Sequence, residues 1–80
     1  MVSFGIESGS QEILDLMDKR ITLNQSLNAV EAAKKEGLIT IGHFVLGFPG
    51  ETSSTLEQTL KFSRQLNLDF AEFYIATPFP

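Results

Sequence analysis

Three short runs of β-forming residues are separated by stretches too long for hairpins and patterned as helices. This spacing constrains the fold more than any other feature of the chain. From Val2 to Ser8 the residues alternate, with Val2, Phe4 and Ile6 on one side and Ser3, Gly5 and Glu7 on the other, the period of a strand with one apolar face. Ile39 to Gly47 forms the second expected strand, apolar on both faces except at His43. Phe70 to Thr77 forms the third, ended by Pro78 and Pro80. Ile13, Leu14, Met17 and Ile21 fall at helical spacing, so a short helix is expected over Gln11 to Lys19, capped by Ser8 or Ser10. Thr22-Leu23-Asn24-Gln25 has the spacing of a capping box, ahead of a stripe of Leu27, Ala29, Val30 and Ala33 with Gly37 as the stop. Ser54-Thr55-Leu56-Glu57 repeats the box pattern. It opens a helix with Leu56, Thr59, Leu60, Ser63 and Leu66 inward and Phe62 at the margin, and Asn67 to Asp69 make the turn that follows. The order is strand, two helices, strand, helix, strand, and crossovers of this length require parallel strands joined with right-handed connections.

The strand faces select the architecture. Phe4 and Ile6, Phe44 and Leu46, and Phe73 and Ile75 give all three strands one apolar face for helices. The opposite face carries Ser3, Gly5, Glu7, His43, Val45, Gly47, Glu72, Tyr74 and Ala76. A doubly wound sheet needs both faces apolar, whereas helices on one side and a partly polar second face suit a barrel. The expected fold is therefore α/β: a parallel β-α-α-β-α-β slice of a (β/α) TIM-type partial barrel with its helices on one face. Residues 1–80 form a single partial domain whose polar face lines the lumen.

Composition excludes several classes. With 80 residues the chain is one small domain or a piece of a larger one, and its core is correspondingly slight. Hydrophobic residues at 42% and charged residues at 20% argue against disorder. A net charge of −4 with scattered basic residues gives no footprint for nucleic acid. No apolar run approaches a membrane span and no signal-peptide pattern opens the chain, so the default compartment is cytoplasmic. The absence of cysteine excludes disulfides and thiolate metal sites within these residues.

The stretch Gly42 to Thr52, GHFVLGFPGET, concentrates the features that suit a ligand site. It reads as a strand ending in a glycine-proline turn, followed by polar residues able to start a helix. Junctions of this kind at the carboxyl end of a parallel strand are where α/β folds place ligands, although an ordinary tight turn has the same pattern. Glu7, at the end of the first strand, is either a carboxylate receiving hydroxyl or ammonium hydrogen bonds from a ligand or a solvated glutamate. His43, the single histidine, either serves a ligand near neutral pH or is only hydrogen-bonded within the sheet. It has no partner at metal-ligand spacing, so no metal site is expected. Glu72 and Tyr74 shape a polar pocket or face water. Glu51 is placed in the first turn of the next helix, where it favours the helix dipole. No Ser-His-Asp set, paired catalytic carboxylates or phosphate loop can be built, and GIESGS lacks the glycine spacing of the dinucleotide fingerprint.

FGIESGSQEILDLMDKR, then a helix, then GHFVLGFPGET, then FYIATPFP, resembles the second half of a radical S-adenosylmethionine (radical SAM) core domain. The subgroup is the one whose members often carry a cobalamin-binding domain, alongside the methylthiotransferases. The resemblance covers essentially the whole chain, as the fourth to sixth strands of a six-stranded partial barrel. It implies SAM and a [4Fe–4S] cluster as cofactors of the parent enzyme, with cobalamin in a separate domain. In that family the cluster cleaves SAM to a 5′-deoxyadenosyl radical that abstracts hydrogen from substrate. The cluster-binding half is absent, its loop being expected ahead of Met1. By resemblance Glu7 and Ser8 contact the ribose or amino-acid part of SAM. Val45 and Gly47 lie against adenine, and the backbone near Ala76 adds a further adenine contact. His43 and Gly50 stand where the family's fifth-strand motif has a glycine and a glutamate, with Glu51 one residue late. That departure leaves His43 as a substrate-side candidate, joined by Glu72 and Tyr74 on the same lumen face.

The leading expectation is a piece of a radical SAM enzyme that supplies SAM- and substrate-facing walls and is not catalytically competent alone. Its first partner is the missing N-terminal half of the barrel. Two other readings stand beside it: a non-catalytic module that self-assembles into homo-oligomers through exposed sheet edges, and half of a flavin- or phosphate-binding barrel.

Overall fold

The computed structural model describes residues 1–76, so Thr77, Pro78 and Pro80, expected at the end of the third strand, lie outside the described residues. The elements are β1 (Val2–Glu7), α1 (Gln11–Leu16), α2 (Leu23–Lys35), β2 (Thr40–Leu46), α3 (Ser53–Leu66) and β3 (Phe70–Ile75). The strands form one sheet in the order β1-β2-β3, and both pairings are parallel. This is the expected parallel β-α-α-β-α-β slice of a (β/α) barrel.

The helices share one side of the sheet. Val30 of α2 and Phe62 and Leu66 of α3 close over Ile6 of β1 and Phe44 of β2 in a single core, flanked by Phe4, Leu23, Leu27 and Leu68. Phe73 extends that core toward the edge by stacking on Phe44 at 5.1 Å between ring centroids. Burial of this kind is worth roughly 1.5–3 kcal/mol for each large side chain, so these few residues carry most of the driving force.

The helix ends follow local chemistry. Ser10 caps α1 through the Ile13 amide. Thr22 and Gln25 complete the expected capping box on α2, each side chain bonding the other's amide. At the far end of α2, Gly37 with φ 74° lets its own amide reach the Lys34 carbonyl and the Leu38 amide reach that of Ala33, a Schellman closure. The cap of α3 is a correction. It is Thr52 paired with Thr55, rather than the box beginning at Ser54. The buried face of that helix is accordingly Thr55, Thr59, Phe62 and Leu66, so Phe62 belongs to the core while Leu60 is exposed. In α2, Ser26 takes the buried place expected of Ala29, which faces solvent.

Two contacts fix the helices and strands in depth. Gly9 sits against α3 so closely that a Cβ there would lie 2.6 Å from Phe62 Cβ and from Thr59 Cα. Asp69, ahead of β3, accepts from the Thr40 amide at 2.7 Å and from the Thr40 hydroxyl at 3.1 Å, both at Oδ2. The bond from the Thr40 amide, then that from its hydroxyl, hold the Asp69 carboxyl below its ordinary value of 3.8, with Lys34 adding to the effect and desolvation opposing it.

Gly9→Ala is expected to destabilise the protein by about 1–3 kcal/mol through backbone collision, against about 1 kcal/mol for Gly37→Ala, which meets no neighbour but must hold a positive φ. Urea unfolding ranks the two. Because the Asp69 pKa is depressed in the folded state, its contribution is present above the ordinary carboxylate range and is lost as pH falls through the folded value. The difference in urea midpoint between the wild type and Asp69→Asn should therefore shrink as the pH is lowered below about 4.

Candidate functional site

The chain leaves β1 through an uncommon turn. The Ser8 amide donates to the Ile6 carbonyl at 2.8 Å across Glu7, which has φ 69°. This is a three-residue γ-turn with a non-glycine residue on the left-handed side, a conformation that stores strain and clusters at functional sites. The pairing with β2 slips by one residue between Gly5 and Glu7. The Glu7 side chain consequently folds back along its strand, and its Oε1 lies 3.3 Å from where a Cβ on Gly5 would stand. Glu7 therefore presents its carboxylate on the side of the sheet opposite the core.

Ser8 turns the other way. It is fully buried, its hydroxyl 3.3 Å from Thr59 Oγ1 and accepting the Ser10 amide at 3.0 Å. Thr59 Oγ1 also accepts the Gly9 amide at 3.0 Å. The hydroxyl of Ser8 is thus engaged with α3, and what the residue offers the open face is its position next to Glu7.

His43, Glu72 and Tyr74 come together. Gly5, His43 and Glu72 are consecutive partners in one row across the three strands. Tyr74 Oη donates to Glu72 Oε2 at 2.7 Å, and the same oxygen faces His43 Nδ1 at 3.7 Å. The His43 and Tyr74 rings are 6.0 Å apart. The hydrogen bond to Glu72, then the charge of Glu72, then desolvation raise the Tyr74 phenol above its ordinary value of 10.0.

Val45 pairs with Tyr74 one step further along. The strand ends stay together beyond them, since the Ala76 amide donates to the Leu46 carbonyl at 2.7 Å. Gly47 takes φ 78° and lies beside the Ala76 carbonyl. Sequence reasoning missed the part played by Glu51. It precedes the cap of α3 instead of occupying the helix, and its Oε1 accepts the Gly47 amide at 3.3 Å across the turn. Its Oε2 is buried and unpartnered among the described residues. The signal available in the sequence was the tight GFPGE spacing, which brings a carboxylate back onto the amide that opens the turn.

Acceptor-rich side chains at the carboxyl ends of parallel strands, on the face away from the helices, define the ligand side of a β/α-barrel protein. Comparison with known proteins gives the family. Residues 1–63 match the radical SAM superfamily, and the chain belongs to it. It is similar over 79 residues to an uncharacterized methyltransferase of Pyrococcus horikoshii, at 52% identity, and to the anaerobic magnesium-protoporphyrin IX monomethyl ester cyclase of Rubrivivax gelatinosus, at 38%. Each alignment takes in 99% of this chain. It is 34% identical over 77 residues, 94% of the chain, to a tRNA-2-methylthio-N(6)-dimethylallyladenosine synthase of Buchnera aphidicola. The chain spans only 14 to 17% of the length of these relatives.

SAM and a [4Fe–4S] cluster are the cofactors of this family, and the residues present fit them unequally. Glu7, strained toward the open face, is an acceptor suited to hydroxyl or ammonium groups of SAM. The cluster finds no ligands, because the chain has no cysteine and no group of three or more His, Asp or Glu among the described residues is placed to hold a metal. No helix among the described residues is long and apolar enough to cross a membrane.

The chain holds a single tyrosine, so phenolate absorbance reports Tyr74 directly. Its ionisation midpoint should lie above 10.0, and Glu72→Gln should bring it back toward that value. An unchanged midpoint in the variant would remove Glu72 as the cause.

Proposed function

We propose that the chain supplies part of the SAM- and substrate-facing wall of a radical SAM barrel, as its fourth to sixth strands, and that it is not catalytically competent by itself. The observation that carries this reading is Glu7, held in a strained γ-turn at the end of β1 with its carboxylate on the polar face. Its carboxylate accepts from the ribose hydroxyls or the ammonium group of SAM, and Ser8 fixes its position from behind. Val45, Gly47 and the backbone at Ala76, brought together where β2 and β3 end, are the part against which adenine rests. His43, Glu72 and Tyr74 face the substrate. When bound, the cluster and SAM together supply radical chemistry on the substrate. The residues of this chain orient ligands, exclude water and present acceptors.

The relatives are named for methyl transfer, ring closure and methylthio modification, and one wall of this kind serves any of them. The N-terminal half of a barrel is the partner this reading requires, and a cytoplasmic setting goes with it. One observation favours the second reading, self-association. Ile75 is 74% exposed and Phe73 39% exposed on the core side of an edge strand, a surface open to another copy by edge addition.

In the full-length protein, Glu7→Gln is expected to weaken binding of S-adenosylhomocysteine about 10- to 100-fold, the worth of a hydrogen bond to a charged group. Calorimetry measures it, and equal affinity in the variant would sink the assignment of Glu7. Light scattering on the same protein reads out self-association.

A further inference from the structure

The row that crosses the open face of the sheet carries more than a wall. Among the described residues none of the three strands contains lysine or arginine, and the helices pack on the opposite face. The charged or titratable groups that face His43 are therefore Glu72 and Tyr74 from β3 and Glu7 from β1, whose carboxylate lies over Gly5, the register partner of His43. Glu72 Oε2 receives the Tyr74 hydroxyl at 2.7 Å and faces His43 Nδ1 at 3.7 Å. At 3.7 Å the contact is too long for a hydrogen bond, but a carboxylate only accepts, so its nearness favours the neutral ring that carries its proton on the nitrogen turned toward it. Nε2 then holds a lone pair, on a side chain that is 32% exposed on a face no helix covers.

We propose that His43 is a proton acceptor for the substrate, with Glu72 and Tyr74 as its positioning residues. The ligand it serves bears a weakly acidic O–H or N–H group. This rests on the reading of the polar face as the ligand side. In the step, the O–H or N–H bond of the ligand breaks with its electron pair remaining on the ligand. The proton bonds to Nε2, and the positive charge gained by the imidazole is balanced by the nearby carboxylates of Glu72 and Glu7. Tyr74 spends its hydroxyl on Glu72, which stops that carboxylate from swinging off an exposed strand. The arrangement follows the logic by which a buried acid orients a catalytic histidine, here built across two neighbouring strands. A substrate carboxylate is disfavoured at this place, since two glutamates already flank the ring.

The test is nitrogen-15 NMR of histidine-labelled full-length protein, with the His43 signal identified by its loss in His43→Gln. The neutral ring is expected to carry its proton on Nδ1, the reverse of free histidine, and Glu72→Ala should return it toward Nε2. Tyr74→Phe should shift the balance the same way by less. A wild-type ring protonated on Nε2, or a tautomer balance indifferent to Glu72, overturns the proposal. Binding of S-adenosylhomocysteine that depends on Glu7, measured on the same samples, shows that such a failure belongs to His43 and leaves the wall reading standing. Binding indifferent to Glu7 overturns that reading, and the role of His43 with it.

Discussion

The hydroxyl of Thr59 is the point on which the geometry of the open face turns. It lies in the interior, shared with Ser8 Oγ and bonded by the Gly9 amide. These contacts are possible only because Gly9 has no side chain to keep α3 at a distance. With Ser8 drawn under the helix, the preceding residue has one way out. Alternation alone puts Glu7 on the open face, but the inward pull on Ser8 compresses the chain there into a γ-turn. A buried hydroxyl left without its partner costs about 1–3 kcal/mol, comparable with the 1–3 kcal/mol of a strained backbone conformation. The interior contact and the strained carboxylate are thus two sides of one balance.

The sheet separates labour by face. On one side Ile6, Phe44, Phe62, Leu66 and Val30 exclude water and set the spacing of strands and helices. On the other, the parallel register brings Gly5, His43 and Glu72 into one row. Neither Glu72 nor Tyr74 would hold a fixed orientation alone on an exposed strand, and their hydrogen bond supplies one. Gly5 contributes by omission. A side chain there would press on the Glu7 carboxylate, which uses that space. The polar face is therefore ordered by the register of the apolar one.

Much of this was legible in the sequence. Period two fixed which residues of each strand share a face, and crossover length fixed the parallel order. Gly37 and the Thr22–Gln25 pair marked the ends of α2 through local chemistry. What escaped were features set by tertiary contact. The slip at Gly5 and Glu7 depends on where Ser8 finds its partner, 51 residues away along the chain. The cap of α3 was placed at Ser54 instead of Thr52, and its face was misjudged in part: Thr59 and Leu66 lie inward as expected, but Thr55 and Phe62 are buried while Leu60 is exposed. Periodicity put Thr59 inward, but not its bonds to Ser8 and Gly9 at the β1–α1 junction. Glu51 was assigned to the helix dipole, whereas its carboxylate closes the turn onto Gly47.

The charge of the open face bears on what can bind there. Glu7 and Glu72 are acceptors, Tyr74 gives its only proton to Glu72, and the His43 ring lies beside that pair. Such a surface attracts hydroxyl, ammonium and N–H groups and repels bare anions. SAM fits on that ground, since its ribose and amino group are donors and its sulfonium is positive, while its carboxylate must find a partner elsewhere. The same logic explains the asymmetry of the site. The chain can hold the donor-bearing parts of a ligand, but the electron-supplying metal chemistry of its family needs thiolates, which a sequence without cysteine does not offer.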